Sequence, residues 1–447
     1  MPDVVVVGGG IAGLSAARDL ALAGRDVLLL EASRDLGGKL RTGSVAGLSV
    51  DVGAEAMLNR RPEGVGLAAE MGLDVVHPTS ATSRILSRGA LRPMPRSLMG
   101  LPFDVDEVER SGILSPEGLA RLRAETPGAP VAGDASVGDL LAERLGAEVV
   151  QRLTEPLLGG VYAGHAHEIS ARAALPPLLA MAARGPLLPQ AAALPTSDVP
   201  VFAGLVGGMG TWPARFTDTA GLVCRTGATV RALRPAAGRW SLTVGPTTHE
   251  ETIVADHVVL ASPAGATARL LGEVAPAAAR ALSAIEAASV AVVTFAYDRR
   301  ALPEEASSMS GFLVPPIEPS AIKAATYSFA KWAWVGGLDP DVRVLRTSLG
   351  RHRDVASLQV SDDELVARSR AELARIAGIE QAPLDAHVQR WGGGLPQYAV
   401  GHVERIARAR AELPPGVVVC GASMDGVGIP AVIGSARRAA AGVLSAQ

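Results

Sequence analysis

Gly8, Gly10 and Gly13 stand at the spacing Gly-x-Gly-x-x-Gly, directly after four consecutive valines and before the helix-forming run that starts at Ile11. Residues of these types at this spacing hold a pyrophosphate. Gly8 permits a sharp turn, Gly10 lets phosphate oxygens reach backbone N–H groups, and Gly13 lets the following helix pack close to the sheet. Gly9, Ile11 and Ala12 complete the loop, and the helix start adds unpaired N–H groups and a positive dipole end. Glu31 follows a second apolar run, Val27–Leu30, eighteen positions past Gly13. It is placed to accept hydrogen bonds from a ribose diol. Strand, glycine turn, helix, strand and acid in that order describe a dinucleotide-binding unit, which a glycine-rich turn alone would not.

Little else in the chain offers side-chain catalysis. There is no Gly-x-Ser-x-Gly element and no cluster of His, Asp and Glu, so no catalytic side chain is assigned. His165 and His167 lack a third ligand nearby and read as solvated, not metal-binding. Cys224 and Cys420 form no Cys-x-x-Cys pair, and Cys420, after three valines, reads as a small buried hydrophobe.

The 447 residues are 48% apolar with a formal net charge of −3, which suits a globular protein of two or three domains and argues against a nucleic-acid partner. Aromatic residues make up only 3%, too few for stacking platforms. Lysine occurs only at Lys39, Lys323 and Lys331, a scarcity that a GC-rich genome would explain. The chain starts almost on a strand, leaving no room for a signal peptide, so a cytoplasmic location is expected. Its most apolar region, residues 171–194, is broken by Arg172, Arg184 and four prolines and should not span a bilayer. Contact with a membrane surface stays open.

Several elements must position the glycine loop. Gly37-Gly38-Lys39 forms a second glycine-rich segment behind Glu31, and residues 47–55 read as a hairpin arm ending in a tight turn at Gly53. Residues 62–73 are helical by pattern, and 84–92 form a hairpin turning at Arg88-Gly89. Residues 93–203, rich in Ala, Leu, Arg and Glu, read as a helical insertion capping a pocket. Within it, 156–164 is glycine-dense and is expected to be a loop. A helix over 207–220, a strand over 226–233, a hairpin and a core strand over 256–263 follow. Strand-like segments between 288 and 349 suggest a mostly antiparallel sheet, and 362–377 an amphipathic helix. A core strand over 416–421 leads through Asp425 to Pro430, which is placed to open a last helix over 431–444. The fold class is therefore α/β, α+β overall, with a discontinuous Rossmann-type domain (1–80, 204–287, 390–447), a substrate sheet (81–92, 288–389) and the helical cap (93–203).

Taken together these segments resemble a known family. Gly8 to Gly13 with Glu31-Ala32, Gly37-Gly38-Lys39-Leu40-Arg41-Thr42 and Val52-Gly53-Ala54-Glu55-Ala56 are similar to motifs of the flavin amine oxidase superfamily. Pro156-Leu157-Leu158-Gly159-Gly160-Val161-Tyr162-Ala163-Gly164, Arg390-Trp391, Leu395 to His402 and Asp425-Gly426-Val427-Gly428-Ile429-Pro430 narrow the resemblance to the oxygen-dependent, FAD-containing protoporphyrinogen/coproporphyrinogen oxidases. The resemblance implies FAD lined by Gly8 to Gly13, Glu31, Ala32, Lys39, Gly53, Ala54, Glu55 and Ala56, with Val230 at the adenine and Trp391, Val427, Gly428 and Ile429 by the isoalloxazine. It implies a six-electron oxidation of a porphyrinogen at flavin N5, with O₂ as acceptor and hydrogen peroxide released. Coproporphyrinogen III is favoured, protoporphyrinogen IX is the alternative, and an amine oxidase or a non-catalytic flavoprotein are the readings from outside the family. Arg84, Arg92 and Arg96 are the expected carboxylate ligands, Arg84 by its match to a family arginine. Met424, His165 and His167 depart from the family pattern. Hand-over of product to a metal-inserting chelatase and the oligomeric state stay open.

Overall fold

Val4–Val7 is a strand in which no residue is more than 6% exposed. Four adjacent valines can be buried together only when both faces of their sheet are covered. In the computed structural model, which describes residues 1–128, 131, 133–195 and 197–445, Val4 and Val6 pack on the helices Ile11–Leu22 and Ile429–Ser445 through Leu14, Leu20, Ile433 and Val443. Val5 and Val7 face the other way, onto a meander of Val230–Ala236, Arg239–Val244 and Glu251–Ala255. The sheet is five parallel strands in the order Leu222–Arg225, Val27–Leu30, Val4–Val7, His257–Leu260, Val417–Val419. Its strands come from three separated stretches of chain, so the N-terminal glycine loop and the C-terminal helix become neighbours.

A second sheet has seven strands, ordered Asp385–Pro396, Ala287–Asp298, Val342–Leu349, Ile322–Thr326, Met309–Leu313, Thr82–Ser87, Ala90–Pro93. All pairs are antiparallel except Met309–Leu313 with Thr82–Ser87. Register separates its two faces. One row runs Ile85, Leu313, Ala324, Ser348, Val292, Gln389. The neighbouring row, on the opposite face, runs Arg84, Phe312, Ala325, Thr347, Val293, Val388. The second face is sealed by the helix Asp362–Ala377, through Leu365 and Leu373 and a 2.9 Å hydroxyl pair between Thr347 and Ser369. The first face looks toward the helical cap, whose core of Leu122, Leu141, Leu153 and Leu178 also contains Ile85.

The sequence expectations fail in four places. Residues 156–164 are not a loop: Glu155–Tyr162 is helical and continues a stretch that begins at Ala147 and passes through a π-turn at Val150–Thr154. Extending an existing helix avoids the cost of a nucleus, and Pro156 lies in the first turn, where its missing N–H is tolerated. Between 207 and 220 only Trp212–Phe216 is α-helical, because Asp51 captures the N–H groups of Met209 and Gly210 at 2.8 Å each and turns the chain there. Leu222–Arg225 was not expected as a strand. It is a four-residue edge strand whose apolar run, Leu222-Val223-Cys224, is only three residues long and leaves Val223 55% exposed, and the strand expected over 226–233 begins only at Val230. Last, Asp385–Pro396 carries the seven-stranded sheet past the division drawn at 389/390, placing Trp391 on the sheet.

Candidate active site

The glycines of the first loop do three different things. Gly8 has φ +111°, and a Cβ there would stand 2.9 Å from the Ala261 carbonyl oxygen. At Gly13 a Cβ would stand 1.8 Å from the Gly8 carbonyl oxygen, so helix and turn touch only because the side chain is absent. At Gly10 a Cβ would meet nothing within 4 Å, which leaves open space beside the helix start. Gly10, the residue ahead of that helix, provides no side-chain cap, so its first N–H groups remain available to a ligand. Ile11 and Ala12, the first helical residues, are buried with the sheet core. The Glu31 carboxylate accepts from Gly9 N–H at 2.6 Å and Ser33 N–H at 2.7 Å, which fixes it at the loop's rim beside exposed Ala32. Ala228 N–H donates to the Glu31 carbonyl at 2.8 Å, bringing half-buried Val230 to the same end.

The second glycine element lies against the first, with Gly37 N–H donating to the Gly9 carbonyl at 2.7 Å. Lys39 reaches the other end of the groove: its Nζ donates to the Gly394 carbonyl at 2.6 Å, and burial pushes its pKa down to about 8. Gly53 is squeezed between that backbone and Trp391, for a Cβ there would be 2.0 Å from the Lys39 carbonyl oxygen and 3.2 Å from the indole ring. Arg41 lies over the same indole, 6.0 Å from its centroid. Ala54 is half-buried, and Ala56 packs against the Val45 and Trp332 cluster. The Glu55 side chain turns away from the groove. It is buried with Arg346 (2.5 Å), Lys331 (3.6 Å), Trp332 Nε1 and Ser328 Oγ (3.3 Å). Burial alone would raise its pKa, but the Arg346 and Lys331 charges outweigh that and hold it below the usual carboxylate range. Arg346 also donates to the Gly53 carbonyl at 2.8 Å, so the sheet face that carries Arg346 is the one meeting this groove.

Val427 and Gly428 are half-buried at the start of Ile429–Ser445, and two anchors set the turn before them. Gly426 N–H donates to Tyr398 Oη at 2.7 Å, and that hydroxyl donates to the Ala422 carbonyl at 2.7 Å. Tyr398→Phe is expected to lower the thermal midpoint by the equivalent of about 1 kcal/mol and to shift the visible flavin bands; an unaltered spectrum would show that the turn does not depend on this bond. Asp425 is the second anchor, held by Arg410 (2.9 and 2.6 Å), Arg438 (3.1 Å) and Ser435. Burial would raise its carboxyl, but the bonds from Arg410 and Ser435 win and hold it at about 2. A pKa depressed below the unfolded value of about 3.9 means that the stabilisation is complete above that value and is lost as pH falls through about 2. Asp425→Asn should therefore cost about 2 kcal/mol at neutral pH and flatten the acid dependence of the thermal midpoint between about pH 4 and 2.

The three arginines expected to take carboxylates do not converge. Arg84 lies in the row with Phe312 and Thr347, on the face sealed by Asp362–Ala377, and therefore points away from the groove. Strand alternation is the reason: Ile85 takes the cap side, so its neighbour cannot. Arg92 pairs with Ile85 on the cap side, but its Nε is spent on the Ser87 carbonyl at 3.0 Å. Arg96 is a surface residue, 63% exposed at its side chain and 3.6 Å from Glu107. His167 bonds exposed Asp139 at 2.6 Å, and the described residues contain no group of three potential metal ligands. What sequence reasoning missed are Arg346, Lys323 and Arg351, all carried by or adjoining the second sheet. For Lys323 the sequence signal was the rarity of lysine; the two arginines carried none.

A family model for flavin-containing amine oxidoreductases matches residues 11–444. The chain belongs to this family. A flavin on a dinucleotide fold is FAD, and the groove fits it, with open space at Gly10 and a fixed carboxylate at Glu31. This flavin amine oxidoreductase is 38% identical to the Coproporphyrinogen III oxidase of Mycobacterium tuberculosis H37Rv over 467 residues, covering 99% of this chain and 97% of the relative. It is 30% identical to the human Protoporphyrinogen oxidase, covering 99% and 98%. A solved structure from Exiguobacterium sp. 255-15, provisionally named protoporphyrinogen oxidase, matches with TM-score 0.89 at 29% identity over 99% of both chains. The Cyclohexylamine Oxidase of Brevibacterium oxydans shares the fold at TM-score 0.74 and 17% identity, over 99% of both chains.

Proposed function

We propose that this flavoenzyme oxidises a porphyrinogen to the corresponding porphyrin in haem biosynthesis, with coproporphyrinogen III as its substrate and O₂ as the final acceptor. Full-length identity of 38% to a Coproporphyrinogen III oxidase carries the reading. The sheet face turned toward the cap supports it: Ala324, Ser348 and Val292 are small or apolar and only partly buried, a surface on which a flat macrocycle could lie. Bound FAD supplies two-electron hydride acceptance and reoxidation by O₂. The chain's own part is placement. The loop from Gly8 to Gly13 and Glu31 hold the dinucleotide tail, Val230 meets the adenine, and Gly53, Trp391, Val427, Gly428 and Ile429 border the ring. The positive end of Ile429–Ser445 stabilises negative charge there. The amine-oxidase alternative needs two facing aromatics with a slot between them. Tyr162 and Tyr398 are buried against each other, ring centroids 5.7 Å apart and tilted 50°, which leaves no slot.

No helix among the described residues is long and apolar enough to cross a membrane; the reading includes action in the cytoplasm and delivery of product to a metal-inserting enzyme. Anaerobic mixing tests it. Coproporphyrinogen III should bleach the flavin fastest, protoporphyrinogen IX more slowly, and a polyamine not at all. Bleaching by the polyamine alone, or by none of the three, would sink the reading.

A further inference from the structure

Two cations at the cap-side face of the second sheet, Lys323 buried and Arg351 half-buried, have no carboxylate within 4 Å among the described residues, though Glu155 and Asp354 lie near enough to act on Arg351 by charge. Lys323 is 7% exposed and sits at a bulge, where pairing with Val342–Leu349 slips between Ile322 and Ala324. Its Nζ donates only to the Gly350 carbonyl, at 3.0 Å. Arg351 follows Gly350 directly and spends one Nη on the Val314 carbonyl at 2.7 Å. Its other Nη would stand 3.3 Å from a Cβ at Gly159, in the cap helix Glu155–Tyr162, so it reaches the space between sheet and cap. Neither cation forms an ion pair with any described residue, whereas Arg152, Arg346 and Arg410 all do. Glu155, the acidic group of the cap nearest in influence, accepts from Ala166 N–H at 2.9 Å and keeps its other oxygen buried without a partner.

Two neighbouring like charges, one buried and the other half-buried, are costly unless an anion joins them. The strain is visible in their protonation: burial and the Arg351 charge push Lys323 down to about 7, and burial lowers Arg351 as well. Resting on the functional reading above, we propose that Lys323 and Arg351 form the carboxylate-binding end of the substrate cavity, where they hold one propionate of the tetrapyrrole. The planar guanidinium accepts a carboxylate edge-on and the ammonium closes the remaining lone pair. The bulge at Lys323 and the missing side chain at Gly159 both make room for this.

The test uses FAD-loaded protein and two probes that undergo no oxidation: coproporphyrin III, with four carboxylates, and its tetramethyl ester, with none. Binding is read by porphyrin fluorescence. Lys323→Met and Arg351→Met should each weaken coproporphyrin III by about 10- to 100-fold, leave the ester unchanged, and retain full FAD content. Arg351→Lys keeps the charge and should lose less than Arg351→Met, and it serves if the methionine variant does not fold. Unchanged affinity for the acid in the variants would overturn the proposal. So would an equal loss for acid and ester, which would reduce the pair to a packing role. Failure of the wild type to bind either porphyrin, with no bleaching by any porphyrinogen, would instead overturn the functional reading itself.

Discussion

Replacing Gly13 with alanine is expected to yield protein without bound flavin. In an ordinary helix that change stabilises by about 0.5–1 kcal/mol, since alanine is the better helix former. Here the sign reverses. The new methyl would lie 1.8 Å from the Gly8 carbonyl oxygen, a backbone atom that no side-chain rotation can move. Helix Ile11–Leu22 must retreat from the turn, and its first N–H groups leave the position from which they meet a pyrophosphate. Overpacking of this kind typically costs about 1–3 kcal/mol. The larger effect falls on the cofactor, because the loop from Gly8 to Gly13 no longer closes around it. Gly10→Ala is the control, as its Cβ would meet no protein atom within 4 Å; it should fold normally and lose flavin only through contact with the ligand. Flavin absorbance per chain after purification, read with the thermal midpoint of each flavin-free protein, separates the two, and a fully loaded Gly13→Ala protein would refute the argument.

Arg346→Met is expected to lower stability by about 3–5 kcal/mol, the usual loss when one member of a buried ion pair is removed. Glu55 would stay buried with its bonds to Trp332 Nε1 and Ser328, and with Lys331 still 3.6 Å away, but without the charge 2.5 Å from its oxygen. The same change releases the Gly53 carbonyl, so flavin content should fall along with the thermal midpoint. Arg346→Met with Glu55→Gln removes both charges and should recover more than half of the lost stability. It should not recover the flavin, because the tie to Gly53 stays broken. A double variant no more stable than the single one would show that the cluster is not paired as described.

The three lysines show how a signal can be visible yet misread. Their rarity suggests composition alone, but Lys39 ties the groove to the Gly394 carbonyl, Lys323 lies in the sheet and Lys331 pairs with buried Glu55. Surface positive charge is left to arginine. Arg84 shows the opposite error. The family resemblance implies Arg84 as a carboxylate ligand, but a strand presents alternate residues to opposite faces, and one position decides which. Glycine density misled similarly at 156–164, because nothing local records that a helix is already running when the chain reaches Glu155.

What the sequence determined by itself is the dinucleotide loop: turn, helix start and strand lie within the first 31 residues, and their geometry follows from backbone sterics and local bonding. The helix Asp362–Ala377 was legible for the same reason, with its apolar period and its Ser361 cap both local. Only the tertiary structure decided how the helix Ile429–Ser445 packs on Ile11–Leu22, that Trp391 stands on the sheet against Gly53, and that Lys323 and Arg351 are tied to neighbouring backbone at Gly350 and Val314. Those meetings depend on strand order, register and a bulge, which are set by packing across the whole chain and leave no periodic mark at the residues concerned.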